Sequence, residues 1–125
     1  MKNFMDIKMV RNEEIKYMET FDVFWKKYAI GNLYITDNKE YVFKYNLENV
    51  EKAKQEGFSY IIGFKDINEE YKSQKLFPFF SSRIPSRNRH DIQNILQSLN
   101  IEEYNENQLL RKTKGKLLTD RYEVR

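Results

Sequence analysis

Between Phe21 and Tyr45 aromatic and β-branched side chains recur every second or third position, with polar residues set between them. This spacing follows the two-residue repeat of a half-buried strand and constrains the front of the chain to a sheet. Phe21, Val23 and Trp25 alternate with Asp22, Phe24 and Lys26, and Ile30, Leu33 and Ile35 follow, which fits two strands or one bent strand over 21–36. Gly31-Asn32 offers a tight turn or a bulge within that stretch. Thr36-Asp37-Asn38-Lys39 separates it from a strand over 40–46, predicting an antiparallel hairpin. A further strand is expected over 58–64, the most continuously apolar run, because its length suits a buried strand better than a helix.

Helical signals dominate the rest. Leu47 to Glu56 carries good helix formers and is followed by Gly57, a natural helix stop. Asp66 to Gln74 is polar and reads as a surface loop, and Leu76-Phe77-Pro78-Phe79-Phe80 as an aromatic cluster interrupted by proline. Ser86 is positioned as an N-cap for a helix over 87–99, with Ile92, Ile95, Leu96 and Leu99 on one face. Asn105 with Gln108 resembles a capping box opening a helix over 106–112, with Tyr104 placed to staple against Leu109. Leu117 to Val124 reads as a closing strand with Tyr122 and Val124 on one face. The expectation is a single α+β domain over 1–125, a small antiparallel sheet followed by a helical C-terminal half. Residues 1–20 fit a strand, a short helix or a partly ordered extension. Phe58, Ile61, Phe77, Phe80, Ile95 and Leu99 are the expected core.

Composition narrows the chemistry. There is no cysteine, which excludes disulfides, thiolate nucleophiles and sulfur-based zinc sites and fits a reducing compartment. The first ten residues lack a signal peptide's apolar stretch, and no window is long and apolar enough to span a membrane, so a cytoplasmic location is expected. His90 is the single histidine, and Arg87-Asn88-Arg89-His90-Asp91 reads more simply as a solvated helix start than as a base. The acidic runs at Asp66, Glu69 and Glu70, and at Glu102, Glu103 and Glu106, lie in polar surroundings unsuited to paired acid–base work. The glycines are too scattered for a phosphate-cradling loop. No catalytic residue, metal or cofactor is assigned, and the expectation is not an enzyme.

Positive charge is local. Arg83, Arg87 and Arg89, together with the segment Arg111 to Arg125, contribute +7 in a chain whose net charge is +3. If the two segments meet, Arg83, Arg87, Arg89, Arg111, Lys112, Lys114 and Lys116 form a basic face suited to phosphate, which makes nucleic acid one partner class. Trp25, beside Lys26, Lys27 and Tyr28, suits a protein contact, base stacking or simple core packing.

The order of short segments resembles the N-terminal subdomain of HipA-type toxin kinases over about four-fifths of the chain. Ile30-Gly31-Asn32-Leu33 is similar to the family's first hairpin and Tyr41-Val42-Phe43-Lys44-Tyr45 to its second strand. Leu76-Phe77-Pro78-Phe79-Phe80 followed by Ile84-Pro85 is similar to its aromatic-to-proline signature, and Leu109-Leu110 with Gly115 to its closing leucine pair and glycine turn. Arg83-Ile84-Pro85-Ser86-Arg87 and Thr119-Asp120-Arg121-Tyr122-Glu123 also resemble segments preceding HIRAN domains. Ser86-Arg87 replaces the acidic-glycine pair common in the kinases, and no kinase catalytic region follows Arg125, so neither kinase activity nor ATP binding carries over. In some toxin systems of this family the subdomain is a separate protein that binds a kinase encoded beside it and acts as antitoxin. The resemblance therefore implies a regulatory interaction module with a HipA-like kinase as partner, and Trp25, Arg83, Ser86, Arg87 and Arg89 as contact candidates.

Overall fold

A computed structural model describes residues 17–125. Strands β1 (Tyr17–Trp25) and β2 (Tyr28–Thr36) form the first antiparallel hairpin, and β3 (Tyr41–Tyr45) pairs with β2 as expected. The turn of the first hairpin lies at Lys26-Lys27, with Lys26 at φ 53°, and Gly31 sits inside β2. The bulge alternative holds next door: pairing shifts between Val23–Gly31 and Phe24–Ala29, which leaves Ile30 as the extra residue. Glycine at 31 answers to packing. A Cβ there would lie 2.7 Å from Cζ of Phe43 and 2.8 Å from the Lys44 carbonyl oxygen, so only a missing side chain lets β3 come this close.

The apolar run 58–64 is not a strand. It folds into a compact turn with one bridge between Ile61 and Phe64, and Gly63 adopts φ 100°. Phe58, Ile61 and Phe64 are buried at every third position, while Ile62 projects into solvent. The Tyr45 hydroxyl accepts from the Ile61 N–H at 2.8 Å and donates to the Phe64 carbonyl at 2.6 Å, giving this backbone the partners a ladder would have supplied. Burial pushes the Tyr45 phenol above its ordinary range. The sheet grows elsewhere instead. The segment expected to be a polar loop supplies β4 (Tyr71–Ser73) on β3, and β5 (Tyr122–Val124) joins the far side of β1. The resulting order is β4-β3-β2-β1-β5, antiparallel throughout.

Helix α1 (Leu47–Lys54) is opened by Asn46, whose side chain accepts from the Asn49 N–H at 3.0 Å, and the chain leaves it through Gly57 at φ 105°. Pro78 does not merely interrupt the aromatic cluster; it begins the short helix α2 (Pro78–Ser81), a position where its missing N–H costs nothing. The third helix starts late. Residues 86–91 form turns, Ser86 accepts from the Asn88 N–H at 3.1 Å, and α3 (Ile92–Ser98) begins after Asp91, so Ser86 is not its cap. Helix α4 (Glu106–Thr113) is capped as the sequence indicates, Asn105 accepting from the Gln108 N–H at 2.9 Å.

One core joins these elements. Phe21, Val23, Ile30, Leu33 and Phe43 from the sheet meet Val50, Phe58, Ile61, Phe64, Phe80, Leu96, Leu109 and Leu110. Phe43 stacks on Phe64 at 4.4 Å between ring centroids, and each such ring contributes about 1.5–3 kcal/mol by burial. Of the expected core residues, Phe58, Ile61, Phe77 and Phe80 are buried, whereas Ile95 and Leu99 are half-buried because α3 ends at the surface. The opposite sheet face mixes polar and aromatic residues, carrying an Asn32–Asp22 hydrogen bond of 2.7 Å, Glu70 close to Lys44 and Lys72, and a Tyr17–Tyr34 stack at 4.5 Å.

Candidate functional site

Arg83 stands at the centre of the segments the sequence marks as functional, and it points inward. It is buried at 6% exposure at the end of α2. Its Nε donates to the Gly115 carbonyl at 2.6 Å, and its two terminal nitrogens donate to the Asp120 carboxylate at 3.0 and 2.5 Å. The guanidinium also lies 4.8 Å from the Phe79 ring centre and 5.3 Å from that of Tyr122. Burial works against the charge on Asp120, but the Arg83 hydrogen bonds, the Tyr122 N–H and the Arg83 charge together hold its carboxyl below the ordinary value. The same burial lifts the Tyr122 phenol to about 12. Arg83 therefore ties α2 to the 113–122 segment, with three of its five N–H donors spent on internal partners and its charge paired with Asp120. Gly115 completes the knot: with φ 56°, a Cβ there would meet Leu110 at 3.1 Å and Val124 at 3.3 Å.

The two basic segments do meet, but through this internal pair. Among the other basic candidates, Arg89 is held by Asp91 at 2.8 Å, and the Asp91 carboxyl is lowered to about 2 chiefly by that hydrogen bond. Arg111 lies 2.9 Å from Glu19, donates to the Thr20 carbonyl and covers the Phe21 ring at 3.7 Å. Lys114 and Lys116 both approach Glu123 at 3.9 Å. Lys112 has no carboxylate within 4 Å among the described residues. The expected basic face is thus interleaved with carboxylates.

Two concavities flank α2. The first, about 760 Å³, is polar and open; Ser86 and Arg87 line it with Tyr104 and Asn105, and Arg87 rests over the Tyr104 ring at 4.5 Å. Tyr104 itself donates to the Pro85 carbonyl at 2.6 Å. The second, about 680 Å³, is largely apolar, with Ile62, Phe64, Phe77, Phe79, Leu117 and Tyr122 along its walls and the Arg83–Asp120 pair at its base. Trp25 is half-buried, paired across strands with Tyr28 and Tyr122 and tilted against Phe58 at 5.4 Å. Its packing role is visible in these contacts. The sequence places Ile62 inside the apolar 58–64 run and Leu117 in the expected closing strand, and neither pattern marks a residue that faces outward.

The aromatic-to-proline segment builds the wall between these concavities, and the leucine pair with Gly115 closes the fold behind it. Residues 21–117 match the family model described as HipA N-terminal domain. The chain belongs to that family. No curated protein and no solved structure matches it. Among the described residues no helix is long and apolar enough to cross a membrane, and no cluster of three or more His, Asp or Glu side chains is arranged to hold a metal ion.

Proposed function

We propose that this protein is a non-enzymatic interaction module that binds a HipA-like Ser/Thr kinase and regulates it, acting as its antitoxin. Membership of the HipA N-terminal domain family across 21–117 is the observation that carries this reading. It is supported by the character of the surface. The apolar concavity beside α2 is lined by exposed Ile62 and Leu117, with fully exposed Leu118 next in the chain, an arrangement suited to protein contact. In this reading both partners work in the cytoplasm, and the contact is made by packing rather than by chemistry on a substrate.

Co-expression with a HipA-like kinase encoded beside the gene tests the proposal. Growth arrest caused by the kinase should be relieved, and the two proteins should co-elute as a stable complex. A toxic kinase that neither binds this protein nor changes its toxicity in its presence would defeat the reading.

A further inference from the structure

Single exposed apolar side chains are ordinary on protein surfaces, but here they converge on one groove. Ile62, 89% exposed, and Leu117, 38% exposed, line the concavity together with Phe64, Phe77 and Phe79, and Leu118, fully exposed, follows Leu117 in the chain. Ile62 reaches this position because the 58–64 turn projects it outward while burying Ile61 and Phe64 on either side. The Arg83–Asp120 pair fixes the base and leaves little net charge there.

The rim is different. Lys65, Lys116 and Arg121 are exposed and each adjoins a lining residue in sequence. Lys65 and Arg121 have no carboxylate within 4 Å among the described residues, and Lys116 shares Glu123 with Lys114 and Arg125. Of the nearby acids, Asp120 is paired with Arg83 and Glu123 with Arg125 at 3.0 Å, while Asp66 accepts from the Asn68 N–H of its own loop at 2.9 Å and keeps its charge. An apolar floor inside a basic rim selects an occupant of the complementary kind.

We infer that this groove receives an amphipathic segment of the partner kinase whose apolar residues enter between Ile62, Leu117 and Leu118 and whose flanking carboxylates meet Lys65, Lys116 and Arg121. The kinase as source rests on the proposed function; the acidic and apolar chemistry rests on the groove alone. A second copy of the chain is a poor occupant, because an isologous contact would set Lys65, Lys116 and Arg121 against their own equivalents. Residues 1–16 carry four basic and three acidic side chains and do not supply an acidic flank. A nucleic acid would find phosphate partners at the rim but an apolar floor where bases have few polar groups to meet.

Two synthetic helical peptides test the chemistry. They share leucines at i, i+3, i+4 and i+7, and carry glutamates or lysines on the flanks. Titrated into the isotope-labelled full-length protein, the glutamate peptide should shift the Ile62, Leu117 and Leu118 methyl signals saturably. It should bind at least about tenfold more tightly than the lysine peptide, an advantage that shrinks in high salt because rim charges are screened. Leu118→Asp and Ile62→Asp should abolish these shifts without altering the melting temperature; Leu118→Ser serves if either aspartate variant folds poorly. Equal affinity for both peptides, shifts confined to other residues, a dimer dissolved by Leu118→Asp, or an oligonucleotide displacing the glutamate peptide would each overturn the inference. The same variants are then assayed with the kinase. Retained kinase binding by Leu118→Asp and Ile62→Asp overturns the docking assignment while leaving regulation intact. A glutamate peptide that docks where the kinase does not bind defeats the kinase as source and upholds the groove chemistry.

Discussion

Replacing Asp120 with alanine should expose how much of the fold depends on the buried arginine. In the native protein the Arg83 side chain is 3% exposed and spends three hydrogen bonds inside the molecule, two on Asp120 and one on the Gly115 carbonyl. Asp120→Ala removes the charge partner and leaves the guanidinium in place. Breaking a fully buried pair costs about 3–5 kcal/mol. Asp120 is 31% exposed, so water replaces part of what is lost, and a cost of about 2–3 kcal/mol follows. For a domain of this size that lowers Tm by roughly 8–12 °C.

Calorimetry or circular dichroism at pH 7 measures the shift, and a double variant, Arg83→Met with Asp120→Leu, checks its cause. An apolar pair leaves no stranded charge, so it should recover most of the lost stability. The pH dependence has a definite sign. The Asp120 carboxyl is held below its ordinary value of 3.8, so its stabilisation is present above that value and is lost as pH falls through the lower folded-state value. The gap between native protein and Asp120→Ala should therefore be full at pH 7 and narrow below about pH 4. A variant within about 0.5 kcal/mol of the native protein at pH 7, or a gap independent of pH, would refute the reasoning.

Gly31→Ala forces a methyl group to within 2.8 Å of the Lys44 carbonyl oxygen and should cost about 1–3 kcal/mol in urea unfolding. Phe80→Ala empties a fully buried site between Phe43, Phe64 and Phe77 and should cost about 3–5 kcal/mol by the same measurement. Asn105→Ala removes the α4 cap and should cost about 1 kcal/mol, with hydrogen exchange accelerating first at Gln108. Arg87→Ala removes a stack on Tyr104 from a side chain with no hydrogen bond or ion pair among the described residues and should change stability by less than about 1 kcal/mol in urea unfolding; a larger loss would overturn this.

Local rules carried the parts of the fold that local interactions decide. The alternation in Phe21 to Trp25, the Asn105 cap and the Gly57 stop depend on neighbours a few residues away, and each stands where the sequence puts it. The departures have distant causes. The 58–64 run leaves the sheet because Tyr45, sixteen residues before Ile61, supplies a hydroxyl that satisfies its backbone. That exchange in turn leaves β3 free to pair with Tyr71–Ser73, a segment too polar and too short to announce itself as a strand. Gly31 reads in sequence as a turn or a bulge because glycine often serves at either, whereas its role beside the Ile30 bulge is to admit the Phe43 ring from the next strand.

The site shows the same division more sharply. Arg83, Arg87 and Arg89 look equivalent in sequence, three arginines within seven residues, and any of them suits an anion. Folding gives them three different fates: a buried knot with Asp120, a stack on Tyr104, and a local pair with Asp91. The first depends on a contact 37 residues away, which no local pattern encodes. That contact also changes where function is sought. Once Asp120 is consumed by Arg83, the 113–121 segment presents Leu117 and Leu118 with Lys116 and Arg121 and no free acid between them. A stretch that reads in sequence as a nucleic-acid-binding charge run thus supplies, in the fold, Leu117, Asp120 and Tyr122 to the wall of an apolar groove, and the proposed rim uses its cations. Salt dependence alone does not separate these two roles, since both use the same cations; the loss of binding on replacing Leu118, an uncharged residue, does.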